Sequence, residues 1–189
     1  VDEGLARPVA LGRPAVIAAR LQKLGLRIEA GKDFELVDVG NDPRYRDLTH
    51  DYYKLMARDG VSPAIAKREV LRSNTLIGAL LLRRGDVDAI LCGTQGQLTR
   101  HLERVSNVIG LKPGARIFAA MNVLMLPRHT LFICDTYVNE DPTAEQIAEA
   151  TLQATFRMKL FGIQPKVALL SHSNFGSHDN PSAAKMRRV

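Results

Sequence analysis

Three polar loops, each following an apolar run, carry the residue types best suited to chemistry. In the first, Lys166-Val167-Ala168-Leu169-Leu170 runs into Ser171-His172-Ser173-Asn174-Phe175-Gly176-Ser177. Hydroxyls, an amide and glycine N–H groups donate to phosphate or carbonyl oxygens without steric conflict. Ser171, Ser173, Asn174, Gly176 and Ser177 are therefore candidate anion-binding residues. The same composition suits an ordinary strand-to-helix turn, since surface loops are polar by default. The second loop is Cys92-Gly93-Thr94-Gln95-Gly96. Its glycines would let the backbone approach an anion at the start of the next helix. Arg100 and Arg104 follow on one helical face by i,i+4 spacing, as phosphate contacts or as a solvated face. The third is Asp135-Thr136-Tyr137-Val138-Asn139, where Asp135 serves as a general base or orienting group, or orders a turn with Asn139.

Other chemistries are disfavoured. His50, His101, His129, His172 and His178 show no metal-ligand spacing with carboxylates. Ser171 and His172 would point to opposite faces of a strand, which argues against a hydrolase dyad. Neither a GxSxG elbow nor a P-loop is present. The expected site holds no catalytic residue and no metal.

The elements that must position these loops alternate short apolar runs with amphipathic segments, the pattern of an α/β fold with a mixed, mostly parallel sheet and flanking helices. Strands are expected at Arg7–Gly12, Phe34–Val39, Asp88–Cys92, Ala115–Leu126, Thr130–Cys134 and Lys166–Ser171. Pro127-Arg128-His129 reads as a hairpin connection. Helices are expected over Arg13–Lys23, Arg44–Ala57, Pro63–Val70 with Ser62 as N-cap, and Thr75–Arg84 stopped by Gly85. Another follows Gly96 as far as Ile109. Thr143 and Gln146 form a capping-box pattern ahead of a helix reaching Phe161, and a last helix begins near Pro181. A lobe boundary is expected near residues 110–116, at Gly110-Leu111-Lys112-Pro113-Gly114.

Size and composition narrow the function. A chain of 189 residues suffices for one large domain or two small ones. Hydrophobic residues make up 46% and charged residues 24%, which is ordinary for a globular protein. The longest apolar runs fall short of the roughly 20 residues of a membrane helix, and the start is not that of a signal peptide. Cys92 and Cys134 lack metal spacing and read as buried, reduced thiols of a cytoplasmic protein. The net charge of +6 fits an anionic partner. Basic residues are scattered, aromatics are only 5% and tryptophan is absent, so a phosphorylated metabolite or acyl carrier fits better than nucleic acid.

Several motifs taken together carry a resemblance. They are Glu3-Gly4-Leu5-Ala6-Arg7-Pro8 with Leu11-Gly12-Arg13-Pro14, then Asp42-Pro43-Arg44-Tyr45-Arg46. Asn74-Thr75 with Gly78-Ala79 follows, ahead of Gly85-Asp86-Val87-Asp88-Ala89. The last are Asp135-Thr136-Tyr137-Val138-Asn139, Asp141-Pro142-Thr143-Ala144-Glu145-Gln146-Ile147-Ala148-Glu149 and Pro165 through Ser177. Across the whole chain the sequence resembles the phosphate acetyl/butyryltransferase family, and in particular the version fused to the carboxyl end of bacterial NADP-dependent malic enzymes.

The resemblance implies a two-lobed fold of the isocitrate/isopropylmalate dehydrogenase type. It also implies that Val1–Val189 is a middle portion of one such domain, within a longer parent. In working transferases, coenzyme A and acetyl phosphate react between the lobes, with no cofactor carrying the chemistry. The family's principal catalytic serine, arginine and aspartate match no residue here. A serine-threonine-lysine-glycine loop of the transferases is replaced by Ser173-Asn174-Phe175-Gly176, and the arginine register near Thr99-Arg100-His101-Leu102-Glu103-Arg104 differs. These departures favour a regulatory and oligomerisation module that binds acetyl-CoA, within a homo-oligomer. A catalytic phosphate acetyltransferase and a purely structural domain are the alternatives. NADP and a divalent metal would belong to malic-enzyme domains outside this sequence. Neither nucleic acid nor membrane is an expected partner.

Overall fold

The computed structural model describes residues 1–189, apart from the side chain of Phe175. It is a mixed α/β structure of helices and small sheets, and it divides into two compact units, Val1–Gly110 and Leu111–Val189.

In the first unit, β1 (Val9–Leu11) and β2 (Glu35–Val37) pair in parallel, with α1 (Pro14–Lys23) between them in the chain. Pro14 opens α1 at a position where its missing N–H costs nothing. Four helices follow: α2 (Tyr45–Met56), α3 (Pro63–Arg72), α4 (Asn74–Arg84) and α5 (Leu98–Val108). Ser62 caps α3 by accepting from the Ile65 N–H at 3.3 Å, and Ser73 caps α4 by accepting from Leu76 at 3.2 Å. Gly85 ends α4 at φ 79°, the left-handed conformation that glycine adopts without penalty.

α4 is the axis of this unit. Every residue from Thr75 to Leu81 is buried, as expected for a helix apolar on most of its circumference. Leu48 and Tyr52 of α2, Ala66 and Val70 of α3 and Val108 of α5 complete the core around it. Gly78 faces Ile90 and Leu11: a Cβ there would lie at ordinary contact distance, 3.5 Å from Ile90 Cγ2 and 3.7 Å from Leu11 Cδ1. Arg83 reaches from α4 to the Val108 carbonyl at 2.7 Å, supplying a cation and a donor to the end of α5.

In the second unit, β3 (Met121–Met125) and β4 (Thr130–Cys134) form an antiparallel hairpin, followed by α6 (Ala144–Leu160) and α7 (Pro181–Arg188). α6 opens on a complete capping box: Thr143 Oγ1 accepts from the Gln146 N–H, and Gln146 Oε1 accepts from the Thr143 N–H. Glu149 on α6 accepts from the N–H groups of Arg116 and Ile117 at 2.7 and 3.3 Å and ties the approach to β3 onto the helix. Burial is sparse here. Ile117, Ala144, Ala150 and Ala183 are buried, while Met125, Leu152, Phe156 and Leu160 are exposed.

Three expectations need correction. A mostly parallel sheet is not assembled among the described residues; there are two separate two-stranded ladders, one parallel and one antiparallel. Asp88–Cys92 and Lys166–Ser171 join neither ladder. Leu91 and Leu170 in these runs are strongly exposed, so apolar composition there is not accompanied by burial. A strand exists only where a neighbour takes up its N–H and C=O groups, and composition does not supply that neighbour. Finally, both Cys92 and Cys134 are free and exposed rather than buried. Even so, partial burial and the nearby Asp135 carboxylate push the Cys134 thiol pKa up. No helix among the described residues is long and apolar enough to cross a membrane.

Candidate functional site

The candidate residues fall into three groups, each with its own support. The loop between Ile90 and α5 turns at Gly93 (φ 106°) and Gly96 (φ 99°), both in the left-handed region that favours glycine. Gln97 precedes α5 without a side-chain cap, and the first turn holds no acidic residue. The early N–H groups of α5 are thus free of local carboxylate competition. Arg100 lies in this first turn, exposed and without an ion pair among the described residues. Arg104, one turn on, is half-buried and pairs with Glu69 of α3 at 2.5 Å.

His101 sits between these arginines and was not singled out by sequence reasoning. Its Nδ1 lies 2.8 Å from Thr75 Oγ1, and its Nε2 lies 2.7 Å from the Gln95 carbonyl oxygen. Thr75 belongs to α4, so this histidine joins the glycine loop to the core helix. No periodicity or local motif marks a pair 26 residues apart.

In the second unit, Asp135 follows β4 directly. Its carboxylate accepts from the Ala120 N–H at 3.0 Å, from the Asn139 N–H at 3.0 Å and from the Asn139 side-chain amide. Partial burial pushes its pKa up, but the donors from Ala120, Asn139 and Val138 outweigh that and hold it below the ordinary carboxylate value. Both oxygens are occupied in ordering the turn.

Ser171, Ser173, Asn174, Gly176 and Ser177 lie together in one loop, with a single 3-10 turn over Asn174–Gly176. Ser171 Oγ accepts from the Ser173 N–H at 3.1 Å, and Ser173 Oγ accepts from the His178 N–H at 3.1 Å. Each hydroxyl keeps its own proton available to donate. Ser173 is half-buried; Ser171, Asn174, Gly176 and Ser177 are exposed. Asn180 closes the loop: its Oδ1 caps α7 through the Ala183 N–H at 2.8 Å, and its Nδ2 meets His172 Nε2.

Thus the serine loop and Asp135 belong to the second unit, and Arg100 and Arg104 to the first. None of the candidate residues lines the cavity of about 390 Å³ between the starts of α6 and α7. Its charged rim is closed on itself, by Lys185 with Asp141 and by Arg188 with Glu145 at 3.1 Å. No group of three or more His, Cys, Asp or Glu side chains among the described residues is placed to hold a metal ion.

Comparison with known proteins extends this picture. The family profile described as Phosphate acetyl/butaryl transferase matches residues 1–189. The chain is 50% identical over its whole length to an NADP-dependent malic enzyme of Escherichia coli (strain K12), of which it covers 25%. It is 47% identical over 99% of its length to an NAD-dependent malic enzyme of Rhizobium meliloti, covering 24% of that protein. Identity to the phosphate acetyltransferase of Escherichia coli (strain K12) is 29% over the whole chain and 26% of that enzyme. The chain spans about a quarter of the length of these curated relatives. Among solved structures, a phosphotransacetylase from Streptococcus pyogenes aligns with a TM-score of 0.80 at 26% identity, over 95% of this chain and 54% of that one. The EutD phosphotransacetylase from Staphylococcus aureus aligns with a TM-score of 0.78 at 21% identity, over 96% and 54% respectively.

Proposed function

The chain belongs to the phosphate acetyl/butaryl transferase family, and on that premise we propose that it is the phosphotransacetylase-like domain of an NADP-dependent malic enzyme, binding acetyl-CoA as a regulatory and oligomerisation module. The observation that carries this reading is the contrast in identity along the same residues. It is 50% to an NADP-dependent malic enzyme against 29% to a phosphate acetyltransferase. The parent would oxidatively decarboxylate malate to pyruvate, using NADP and a divalent metal bound in its other domains. Preference for NADP over NAD is part of the proposal, because similar relatives include one named for NAD.

The domain would take the two-lobed form of the isocitrate/isopropylmalate dehydrogenase type. Ligand contacts would come from Ser171, Ser173, Asn174, Gly176 and Ser177, and from Arg100 and Arg104 at the glycine loop, with Asp135 ordering the turn that follows β4. Hydroxyl, amide and guanidinium donors suit the phosphates and thioester carbonyl of acetyl-CoA. Exposed apolar side chains such as Met125, Phe156 and Leu160 support the oligomerisation part. The remaining partners and the cytoplasmic location follow from the same reading.

Catalytic acetyl transfer is the competing reading, favoured by family membership itself. Two assays on the protein carrying this chain separate the two. The proposal expects no acetyl phosphate above background from acetyl-CoA and phosphate. It also expects inhibition of malate oxidation by acetyl-CoA, weakened by both Ser173→Ala and Arg104→Ala. Sustained acetyl phosphate formation contradicts it in favour of catalysis. Inhibition untouched by either substitution removes these residues from the site.

A further inference from the structure

Thr75 is a buried polar side chain, at 7% exposure, and its hydroxyl meets His101. The hydrogen-bond chemistry at this histidine requires a hydrogen on one ring nitrogen. The Gln95 carbonyl only accepts, so His101 Nε2, 2.7 Å away, must carry a hydrogen. Nδ1 lies 2.8 Å from the Thr75 hydroxyl, which donates to a bare Nδ1 and accepts from a protonated one. Both ring nitrogens are thereby committed, one to α4 and one to the loop before α5.

The loop also fits closely against the ring. A Cβ placed on Gly96 would come within 3.2 Å of His101 Nε2, tighter than ordinary contact. Gly96 is further held at φ 99°, where other residues are strained. Residues 91–100 are otherwise exposed throughout, and the Gln95 bond to His101 is the link that ties the loop's middle to the core helix.

We infer that His101 is a positioning residue: in its Nε2–H form it clasps the Gly93–Gly96 loop to Thr75 and fixes the entry to α5. Where acetyl-CoA is concerned, this rests on the function proposed above. There the loop and Arg100 meet the ligand, and His101 sets affinity without touching it. An Ala at 101 removes both bonds. An Asn keeps only a partner for Thr75, whereas a Gln keeps only the donor to the Gln95 carbonyl.

The test is nuclear magnetic resonance on the full chain, followed by acetyl-CoA titration. In the unsubstituted protein the His101 ring carries a hydrogen on Nε2, and Thr94–Gln97 have backbone order parameters near the rigid value of about 0.85. His101→Ala and His101→Asn lower those order parameters and weaken acetyl-CoA binding about fivefold, the factor one net hydrogen bond carries. His101→Gln retains loop order and binds nearly as the unsubstituted protein does. An Nε2 without a hydrogen, or equal loop order in the His101→Ala and unsubstituted proteins, overturns the clasp. A loosened loop with unchanged acetyl-CoA binding overturns its role in positioning the site. If the unsubstituted protein binds no acetyl-CoA, the functional reading fails, and the tautomer and order parameters still decide the clasp.

Discussion

Asn139 reaches the Asp135 carboxylate through both its backbone N–H and its side-chain amide, and the same amide donates to the Phe118 carbonyl at 2.8 Å. With the Ala120 N–H added, one carboxylate locks the turn after β4 to the segment entering β3. A group able to act as a base is committed to ordering backbone.

Asp135→Ala is expected to destabilise the protein by about 1–3 kcal/mol, because half-buried donors lose their acceptor. The cost depends on pH. The folded carboxyl titrates below its ordinary value of 3.8, so its stabilising contribution is present above that value and is lost as pH falls through the folded pKa. Denaturant midpoints of the two proteins therefore differ clearly at about pH 7 and converge in acid. A difference that stays constant across that range contradicts this account.

Gly78 offers a test of the α4 packing. An added Cβ meets Ile90 and Leu11 at ordinary contact distance, and alanine favours a helix over glycine by about 1 kcal/mol. Gly78→Ala is expected to raise stability by up to about that amount. Gly78→Leu overfills the same space and is expected to lower stability by about 1–3 kcal/mol. Thermal melts of the two variants check the contrast; a destabilised Gly78→Ala would mean that the approach is tighter than described.

At the start of α6, Thr143→Ala removes the acceptor for the Gln146 N–H. The expected loss is about 1 kcal/mol. Denaturation should report it, with Thr143→Ser restoring most of the stability. No loss in the alanine variant would show that the capping box contributes nothing.

Local chemistry was legible in the sequence. Ser62 ahead of Pro63, Gly85 after α4, and Thr143 with Gln146 each marked a helix boundary that the structure holds. Thr130–Cys134 was expected as a strand and forms one, because the turn at Pro127-Arg128-His129 places its partner beside it. The apolar runs at Asp88–Cys92 and Lys166–Ser171 misled, since a ladder depends on a neighbouring chain segment rather than on composition. The serine loop was located directly, being a contiguous run with local hydrogen bonds. The bonds of His101 to Thr75 and of Asp135 to Ala120 were not legible, because they join residues set side by side only by folding.

The proposed regulatory role requires this domain to bind acetyl-CoA without turning it over. Calorimetric titration of acetyl-CoA into the protein, in the presence of phosphate, tests it most directly. Saturable binding is expected, weakened by Ser173→Ala, with the acetyl-CoA recovered intact afterwards. Absence of binding at saturating protein, or conversion of the ligand to acetyl phosphate and coenzyme A, would contradict it.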